Sequence, residues 1–294
     1  LEAVTPEMEA TVAALVDGAP ERRDRIRRIF TWVSQNIRYM GITTETEAPG
    51  YEPHDVSMTF NSRHGVCRDK AALLVAMLRM ADVEAYPVLI HAGAKLDPDV
   101  PMTFFNHAIV AAFDPDGEYD LMDPTDENAR DPLPSYLGDR SYLVAHPRGE
   151  TLRVSPVPPA GDNMLTIRSE GDLDTTGRLT LTTEIGFEGI NDNVYRGHLS
   201  RLPREERRRF FEGLVKARIA GAELFAFELL PDDLQNTEDP LRARLSIRAQ
   251  QYTFEGHDRT MLDLPWLGGA VGYVNFLLGR TGLRERRFPL VTEV

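Results

Sequence analysis

The spacing of apolar residues predicts three helices in the first part of the chain. One is expected to begin at Thr5-Pro6, because threonine caps helix N-termini and proline is tolerated in the first turn. A long apolar run, residues 67–79, follows a glycine and predicts another helix, and Asp69 and Lys70 are expected to support its start. Between these two, five apolar residues recur at helical spacing: Ile26, Ile29, Phe30, Val33 and Ile37.

Three short apolar runs, residues 84–91, 105–113 and 118–122, predict strands. The last two flank residues 114–117, Asp-Pro-Asp-Gly, which is a strong hairpin signal. If Pro115 and Asp116 are the two central turn residues, Asp123 lies opposite Ala108, beside His107 on the neighbouring strand. A bulge of one residue would then bring His107 and Asp123 directly opposite each other.

The second half of the chain has a different pattern. After a proline-rich linker at residues 156–161, apolar residues alternate with polar ones at 179–185 and 241–247, which is the period of a strand. A helical segment near residues 203–220 interrupts the alternation. We therefore predict an α+β protein with a mixed domain at residues 1–150 and a β-rich accessory domain with a helical insertion at residues 151–294.

Composition limits the classes of function. The chain has 294 residues, 42% of them hydrophobic, and a net charge of −13. This negative charge argues against a nucleic-acid partner and against adsorption to anionic lipid. No run is long and apolar enough for a membrane span, since residues 264–278 are interrupted by glycines and Asn275. The chain begins at Leu1 rather than methionine, which suggests an excised fragment or a processed protein, and we expect that an upstream domain is missing.

The single cysteine, Cys67, carries the strongest chemical signal. It opens the predicted helix, where unpaired NH groups and the helix dipole favour a thiolate, the reactive form of cysteine. His107 and Asp123 follow downstream and supply a candidate base and a candidate orienting carboxylate. The three roles of a thiol acyl-transfer triad can therefore be filled.

Three separated motifs now carry a family resemblance: residues 65–71, Gly-Val-Cys-Arg-Asp-Lys-Ala; residues 106–108, Asn-His-Ala; and residues 121–125, Leu-Met-Asp-Pro-Thr. Over about residues 20–145 the chain resembles the bacterial transglutaminase-like superfamily, whose core is similar to that of papain-like cysteine proteases. The resemblance implies Cys67 as nucleophile, His107 as base and Asp123 as the residue that orients the imidazole. It also suggests a periplasmic or cell-envelope location. Val66 and His64 replace an acidic and an aromatic residue that are more usual there, which bears on substrate preference.

The oxyanion of a tetrahedral intermediate needs hydrogen-bond donors, and three candidates stand out. The backbone NH of Cys67 at the helix terminus is the first. Asn61 precedes Cys67 at a spacing similar to that of the oxyanion glutamine of papain-like proteases, although it also suits an ordinary turn. Tyr39 is the third candidate.

Each residue also has a purely structural interpretation. Cys67 could be a small buried apolar residue, His107 a hydrogen-bonded core residue, and Asp123 the end of a strand. A zinc site with Cys67 and His64 is disfavoured, because structural zinc sites show closely paired ligands and this sequence has none. We expect no metal and no cofactor.

The expected function is thiol-dependent acyl transfer on an amide or peptide bond of a protein or peptide substrate. Hydrolysis is favoured over crosslinking, since water is the default acceptor. Two alternatives stay open at this stage. One is an amidase of small molecules or cell-wall peptides, and the other is a catalytically silent module of the same fold that binds a protein or a cell-wall peptide.

Overall fold

The computed structural model describes residues 3–41, 52–93, 95–100, 103–114 and 116–274. It contains both helix and sheet, 32% and 26% of the residues respectively, and the predicted α+β class is confirmed. The chain divides into two compact units, Leu1–Val157 and Pro158–Val294. Among the described residues, every helix is too short or too polar to cross a bilayer.

The first unit has four helices in its described part: α1 (Pro6–Val16), α2 (Arg22–Asn36), α3 (Val56–Ser62) and α4 (Cys67–Met80). Its strands are β1 (Arg38–Tyr39), β2 (His64–Gly65), β3 (Ala85–Ile90), β4 (His107–Phe113), β5 (Tyr119–Met122), β6 (Ser141–Val144) and β7 (Arg153–Val154). The expected cap is present, since Thr5 Oγ1 accepts a hydrogen bond from the Met8 NH at 3.3 Å. The three helices predicted from apolar spacing are confirmed as α1, α2 and α4.

Five strands form an antiparallel sheet in the order β5-β4-β3-β6-β7. Helix α4 is the central helix of the core: Leu74 and Met77 are fully buried in the same cluster as Val110 of β4. Strands β1 and β2 form a separate parallel pair, in which Tyr39 lies beside Gly65. This pair fixes Tyr39 next to the turn that leads into Cys67.

The β4–β5 hairpin has a different register from the one predicted. Asp114 NH donates to the Glu118 carbonyl at 2.8 Å and Gly117 NH donates to the Asp114 carbonyl at 2.9 Å. The turn therefore comprises residues 115–117, and Gly117 takes a φ of +94°, as expected at the last position of a three-residue loop. The prediction of a two-residue turn was wrong because this conformation of Gly117 adds a residue to the loop.

The observed register removes the need for a bulge. Val110 pairs with Met122, and the pairing shows no irregularity. One pair further on, Asp123 faces Ile109, and Ile109 shares a face of β4 with His107 because side chains alternate along a strand. His107 and Asp123 are therefore diagonal neighbours on one face, at a separation that long side chains can bridge.

The second unit is a four-stranded antiparallel sheet with helices, as predicted. Its order is β10-β11-β9-β8, formed by β8 (Leu165–Leu173), β9 (Leu179–Phe187), β10 (Ala222–Leu230) and β11 (Arg242–Ala249). The helical insertion consists of α5 (Ile190–Ser200) and α6 (Arg204–Arg218), so it begins earlier than expected. A small hairpin follows, β12 (Phe254–Glu255) with β13 (Thr260–Met261). The core contains the alternating apolar residues of β9 and β11 together with Phe211 and Val215 of α6.

A buried ion pair stabilises the second unit. Arg196 of α5 is fully buried and binds Asp192 through two hydrogen bonds of 2.6 and 3.0 Å. The guanidinium also donates hydrogen bonds to three backbone carbonyls, those of Leu234, Asn236 and Asp239. All five donors of the guanidinium are thus used, which offsets the cost of removing the charge from water.

Candidate active site

Cys67 is the first residue of α4, and the local sequence sets this position. Val66 is extended, and its NH donates to Asp69 Oδ2 at 3.0 Å, so the helix begins directly after it. A side chain at Gly65 would place its Cβ 2.8 Å from the Asp69 Cβ, closer than real Cβ atoms approach. Glycine is therefore required at position 65 for the aspartate to cap the helix that carries Cys67.

Asp69 also connects this helix to the segment before α3. Its Oδ1 accepts hydrogen bonds from the His54 backbone NH at 3.0 Å and lies 3.1 Å from His54 Nδ1. Only 2% of Asp69 is exposed. A buried carboxylate that accepts several hydrogen bonds is a rigid support, and it holds the turn before Cys67 in place.

His107 begins β4 and contacts Asp123 directly. Its Nε2 lies 2.8 Å from Asp123 Oδ2, and the Asp123 side chain is fully buried. The other carboxylate oxygen, Oδ1, accepts hydrogen bonds from the Thr125 NH at 2.9 Å and the Thr125 hydroxyl at 2.7 Å. Asp123 is therefore fixed at both oxygens and in turn fixes the plane of the imidazole.

The Cys67 thiol completes the arrangement, because His107 is the side chain that interacts with it and lowers its pKa. Since Nε2 contacts Asp123, Nδ1 is the ring nitrogen left for the sulfur. Burial disfavours the thiolate, but the hydrogen bond and charge of His107, with backbone hydrogen bonds from Ala108 and Arg68, outweigh it. The pKa of Cys67 is therefore lowered from its ordinary value.

The same contacts act on the imidazole in the opposite direction. Burial alone would lower the pKa of His107, whereas hydrogen bonds and charge interactions with Asp123 and Cys67 raise it to about 10. A lowered thiol pKa and a raised imidazole pKa favour a thiolate–imidazolium pair at neutral pH. This form of cysteine can attack a carbonyl carbon.

Tyr39 lies close to this pair, as required of an oxyanion donor. Burial and the nearby negative charges of Cys67 and Asp123 raise the pKa of the Tyr39 hydroxyl, so the hydroxyl keeps its proton. Asn61 is exposed in the last turn of α3, and no contact among the described residues joins it to Cys67, His107 or Asp123. The backbone NH of Cys67 lies at the helix terminus, as expected.

The structure adds Tyr136, which the sequence did not indicate, to this neighbourhood. It lies in a short 3₁₀ helix, Ser135–Leu137, with 41% of the residue exposed. Desolvation and the negative charges of Asp123 and Asp126 raise its pKa. No local pattern in the loop after β5 could have indicated this, because the contact joins residues through the tertiary fold.

Within the described part of the chain, no three or more His, Cys, Asp or Glu side chains are arranged to hold a metal ion. His64 lies in β2 with an exposed side chain. The groups around Cys67 are those of acid–base and nucleophilic chemistry.

Comparison with known proteins agrees with this arrangement. Residues 9–124 match the transglutaminase-like superfamily. The first unit contains a transglutaminase-like domain. The family resemblance predicted from the sequence motifs is thereby confirmed. The matched segment includes Cys67, His107 and Asp123. No curated protein matches this chain.

Three solved structures are similar to parts of this chain. A putative protease from Parabacteroides distasonis shares 12% identity over 85% of this chain and 50% of its own, with a TM-score of 0.42. A putative cysteine protease from Cytophaga hutchinsonii shares 22% identity over 40% and 37% of the two chains, with a TM-score of 0.32. The periplasmic domain of TgpA from Pseudomonas aeruginosa shares 21% identity over 43% and 44%, with a TM-score of 0.33. The chain thus spans half or less of the length of each.

Proposed function

We propose that the first unit is a cysteine-dependent enzyme that cleaves an amide or peptide bond of a protein or peptide substrate. Cys67 is the nucleophile, His107 the general acid and base, and Asp123 the residue that orients the imidazole. The observation that carries the proposal is the 2.8 Å hydrogen bond between His107 and a fully buried Asp123 carboxylate, on an imidazole that also lowers the pKa of the Cys67 thiol.

The proposed reaction has two steps. The Cys67 thiolate attacks the substrate carbonyl carbon, and the oxyanion accepts a hydrogen bond from the Cys67 backbone NH, with Tyr39 as the favoured second donor. When the carbon–nitrogen bond breaks, the imidazolium proton passes to the departing amine and a thioester remains. His107 then takes a proton from water, which attacks the thioester and releases the acid. An amine in place of water would give crosslinking, but we favour hydrolysis because water needs no second binding surface.

The reactivity of the thiol tests this proposal first. We expect the iodoacetamide alkylation rate of the wild type to reach half its maximum at a lower pH than that of an ordinary thiol, whose pKa is about 8.5, and His107→Ala to move this midpoint towards that ordinary value. Cleavage is then measured with a fluorogenic peptide-amide library, and crosslinking with a fluorescent primary amine. Identical, ordinary thiol profiles in both proteins would refute the catalytic assignment. A reactive thiol without any turnover would favour the alternative, a silent module that binds a protein or cell-wall peptide.

Two further parts of the proposal concern location and the second unit. A periplasmic or cell-envelope location follows from the family resemblance, and fractionation of the source cells with immunodetection tests it. Recovery of the protein only with the cytoplasmic fraction would contradict it. Residues 151–294 are proposed as an accessory domain, because the described part of that segment has no cluster of side chains comparable to Cys67, His107 and Asp123.

A further inference from the structure

Lys70 is a fully buried lysine one helical turn after Cys67. Its ammonium donates hydrogen bonds to the backbone carbonyl of Ser34, at 3.0 Å, and to that of Ile37. Burying a lysine ammonium costs free energy unless it is paired, so lysine is almost never fully buried without partners. The hydrogen bonds to the end of α2 explain part of this burial, but not the presence of a positive charge.

The charges that face Lys70 supply the rest of the explanation. No acidic side chain of α2 is bonded to it; α2 contributes only backbone carbonyls. On its own helix, the Asp69 carboxylate is occupied by Val66 and His54. The negative charges that act on Lys70 come from the end of β5 and the following segment: Glu127, Asp123 and Asp126.

The ammonium therefore lies between these carboxylates and the end of α2. Burial lowers the pKa of Lys70 to about 8, and the three carboxylates oppose that decrease, so the group is mostly charged at neutral pH. Asp123 belongs to the proposed triad, and Tyr39 NH lies 3.4 Å from Glu127 Oε1. The lysine thus belongs to the same charged cluster as the proposed catalytic groups.

We propose that Lys70 is a positioning residue whose buried positive charge offsets the carboxylates behind Cys67 and thereby keeps the thiolate stable. The inference rests on the proposed function, since it concerns the reactive form of the same thiol. Without the ammonium, Glu127, Asp123 and Asp126 would present uncompensated negative charge to the sulfur, and a second negative charge there would be disfavoured.

The expected size of this effect follows from the geometry of the helix. Residues at i and i+3 have Cβ atoms about 5–6 Å apart, and since a lysine side chain is several ångströms long, a separation of about 10 Å between the ammonium and the sulfur is taken for the calculation. At an effective dielectric constant of about 20, loss of one charge at that distance moves a pKa by about one unit.

The test measures the midpoint of the iodoacetamide alkylation rate against pH in four variants of the full chain. Lys70→Met and Lys70→Gln both remove the charge, and Gln keeps a donor for the α2 carbonyls. We expect each to raise the midpoint by about one pH unit. Glu127→Gln removes one opposing charge at a partly exposed position and should lower the midpoint, so the inference can be tested even if the Lys70 variants do not fold.

Arg79→Gln is the matched control. Arg79 lies in the last turn of α4, about 18 Å along the helix from Cys67, and its Nε also donates to a backbone carbonyl, that of Ala85, at 2.9 Å. Arg79 is exposed and lies more than two Debye lengths of about 8 Å away, so water and salt screen its charge, whereas the buried Lys70 is screened much less; the midpoint of Arg79→Gln should equal that of the wild type.

The outcomes separate this inference from the proposed function. An ordinary thiol profile in the wild type would refute the proposed function itself. A low wild-type midpoint that Lys70→Gln leaves unchanged, while the thermal midpoint of unfolding falls, would show that Lys70 is only structural. An unchanged midpoint in Glu127→Gln would likewise overturn the inference.

Discussion

Asp123→Asn is the substitution that most directly tests the proposed triad. Asp123 accepts hydrogen bonds from Thr125 at one oxygen and contacts His107 Nε2 at the other. Asparagine has nearly the same shape but offers one oxygen and one NH₂ group. If its oxygen keeps the Thr125 contacts, its NH₂ faces Nε2, and the imidazole must then carry its proton on Nδ1. That tautomer cannot accept the thiol proton of Cys67.

The magnitude follows from the lost interaction. A hydrogen bond to a charged group contributes about 1.5–3 kcal/mol, which corresponds to about 1–2 units in the pKa of the imidazole. We therefore expect the alkylation rate of Cys67 at pH 6 to fall about 10- to 100-fold. Turnover should fall further, by about 10²- to 10⁴-fold, because both the tautomer and the charge of the orienting residue matter in the transition state.

The assay compares alkylation rate and thermal unfolding on the same preparations. Asp120→Asn is the matched control, because Asp120 lies on the same strand, its carboxylate is 54% exposed, and it forms a surface ion pair with Arg22 at 2.8 Å. We expect no change of alkylation in this control and a loss of stability of at most about 1 kcal/mol.

One result would refute the reasoning. If Asp123→Asn alkylates at the wild-type rate while its thermal midpoint falls, the carboxylate only stabilises the end of β5. Asp123 would then have no part in orienting His107.

Three other predictions address the helix start, the second unit and the pH dependence. Gly65→Ala should lower the free energy of unfolding by about 1–3 kcal/mol and slow the alkylation of Cys67, because the new Cβ meets Asp69. Unfolding in denaturant measures this, and a variant as stable as the wild type would contradict the prediction. Arg196→Leu should lower the free energy of unfolding by about 3–5 kcal/mol in the same assay, because the Asp192 carboxylate is left buried without its partner. A decrease of less than about 1 kcal/mol would show that the ion pair is dispensable. The difference in thermal stability between wild type and the double variant Cys67→Ala/His107→Ala, which lacks both groups, should be constant between about pH 6.5 and 8.5, since folded and unfolded thiol–imidazole pairs each hold one proton there. This difference should decrease below pH 6.5, because the unfolded pair binds a second proton there. It should also decrease above pH 8.5, because the folded imidazole, with a pKa of about 10, keeps a proton that the unfolded pair has lost. A steady change of the difference between pH 6.5 and 8.5 would exclude the ion pair.

Local periodicity was enough to predict most elements of the fold. Apolar residues at helical spacing predicted α2 and α4, and alternating apolar residues predicted β9 and β11. Both patterns depend only on which face of an element is buried. The register of the β4–β5 hairpin could not be read in this way, because it depends on the backbone conformation of Gly117. Ile37 continues the apolar face of α2 but is its C-cap, since periodicity does not mark a helix end sharply.

The candidate site was only partly visible in the sequence. The order of the three motifs indicated Cys67, His107 and Asp123, and the structure brings their side chains into contact. The charge environment of Lys70 and the place of Tyr136 depend on tertiary contacts among α2, α4 and the segment after β5, which no local pattern encodes. The sequence suggested support for the helix start by Asp69, but not the contact with His54 that completes it.

The turn at residues 115–117 has a consequence for how such a site can vary. Side chains alternate between faces along a strand, so the number of residues in this turn decides on which face of the sheet Asp123 emerges. Insertion or deletion of one residue would turn the carboxylate away from His107, although the turn contributes no group to the chemistry. A change of two residues would restore the face and only slide the strands past each other. Whether this surface loop has an odd or an even number of residues thus determines the position of the Asp123 carboxylate, just as the identity of the site residues determines their chemistry.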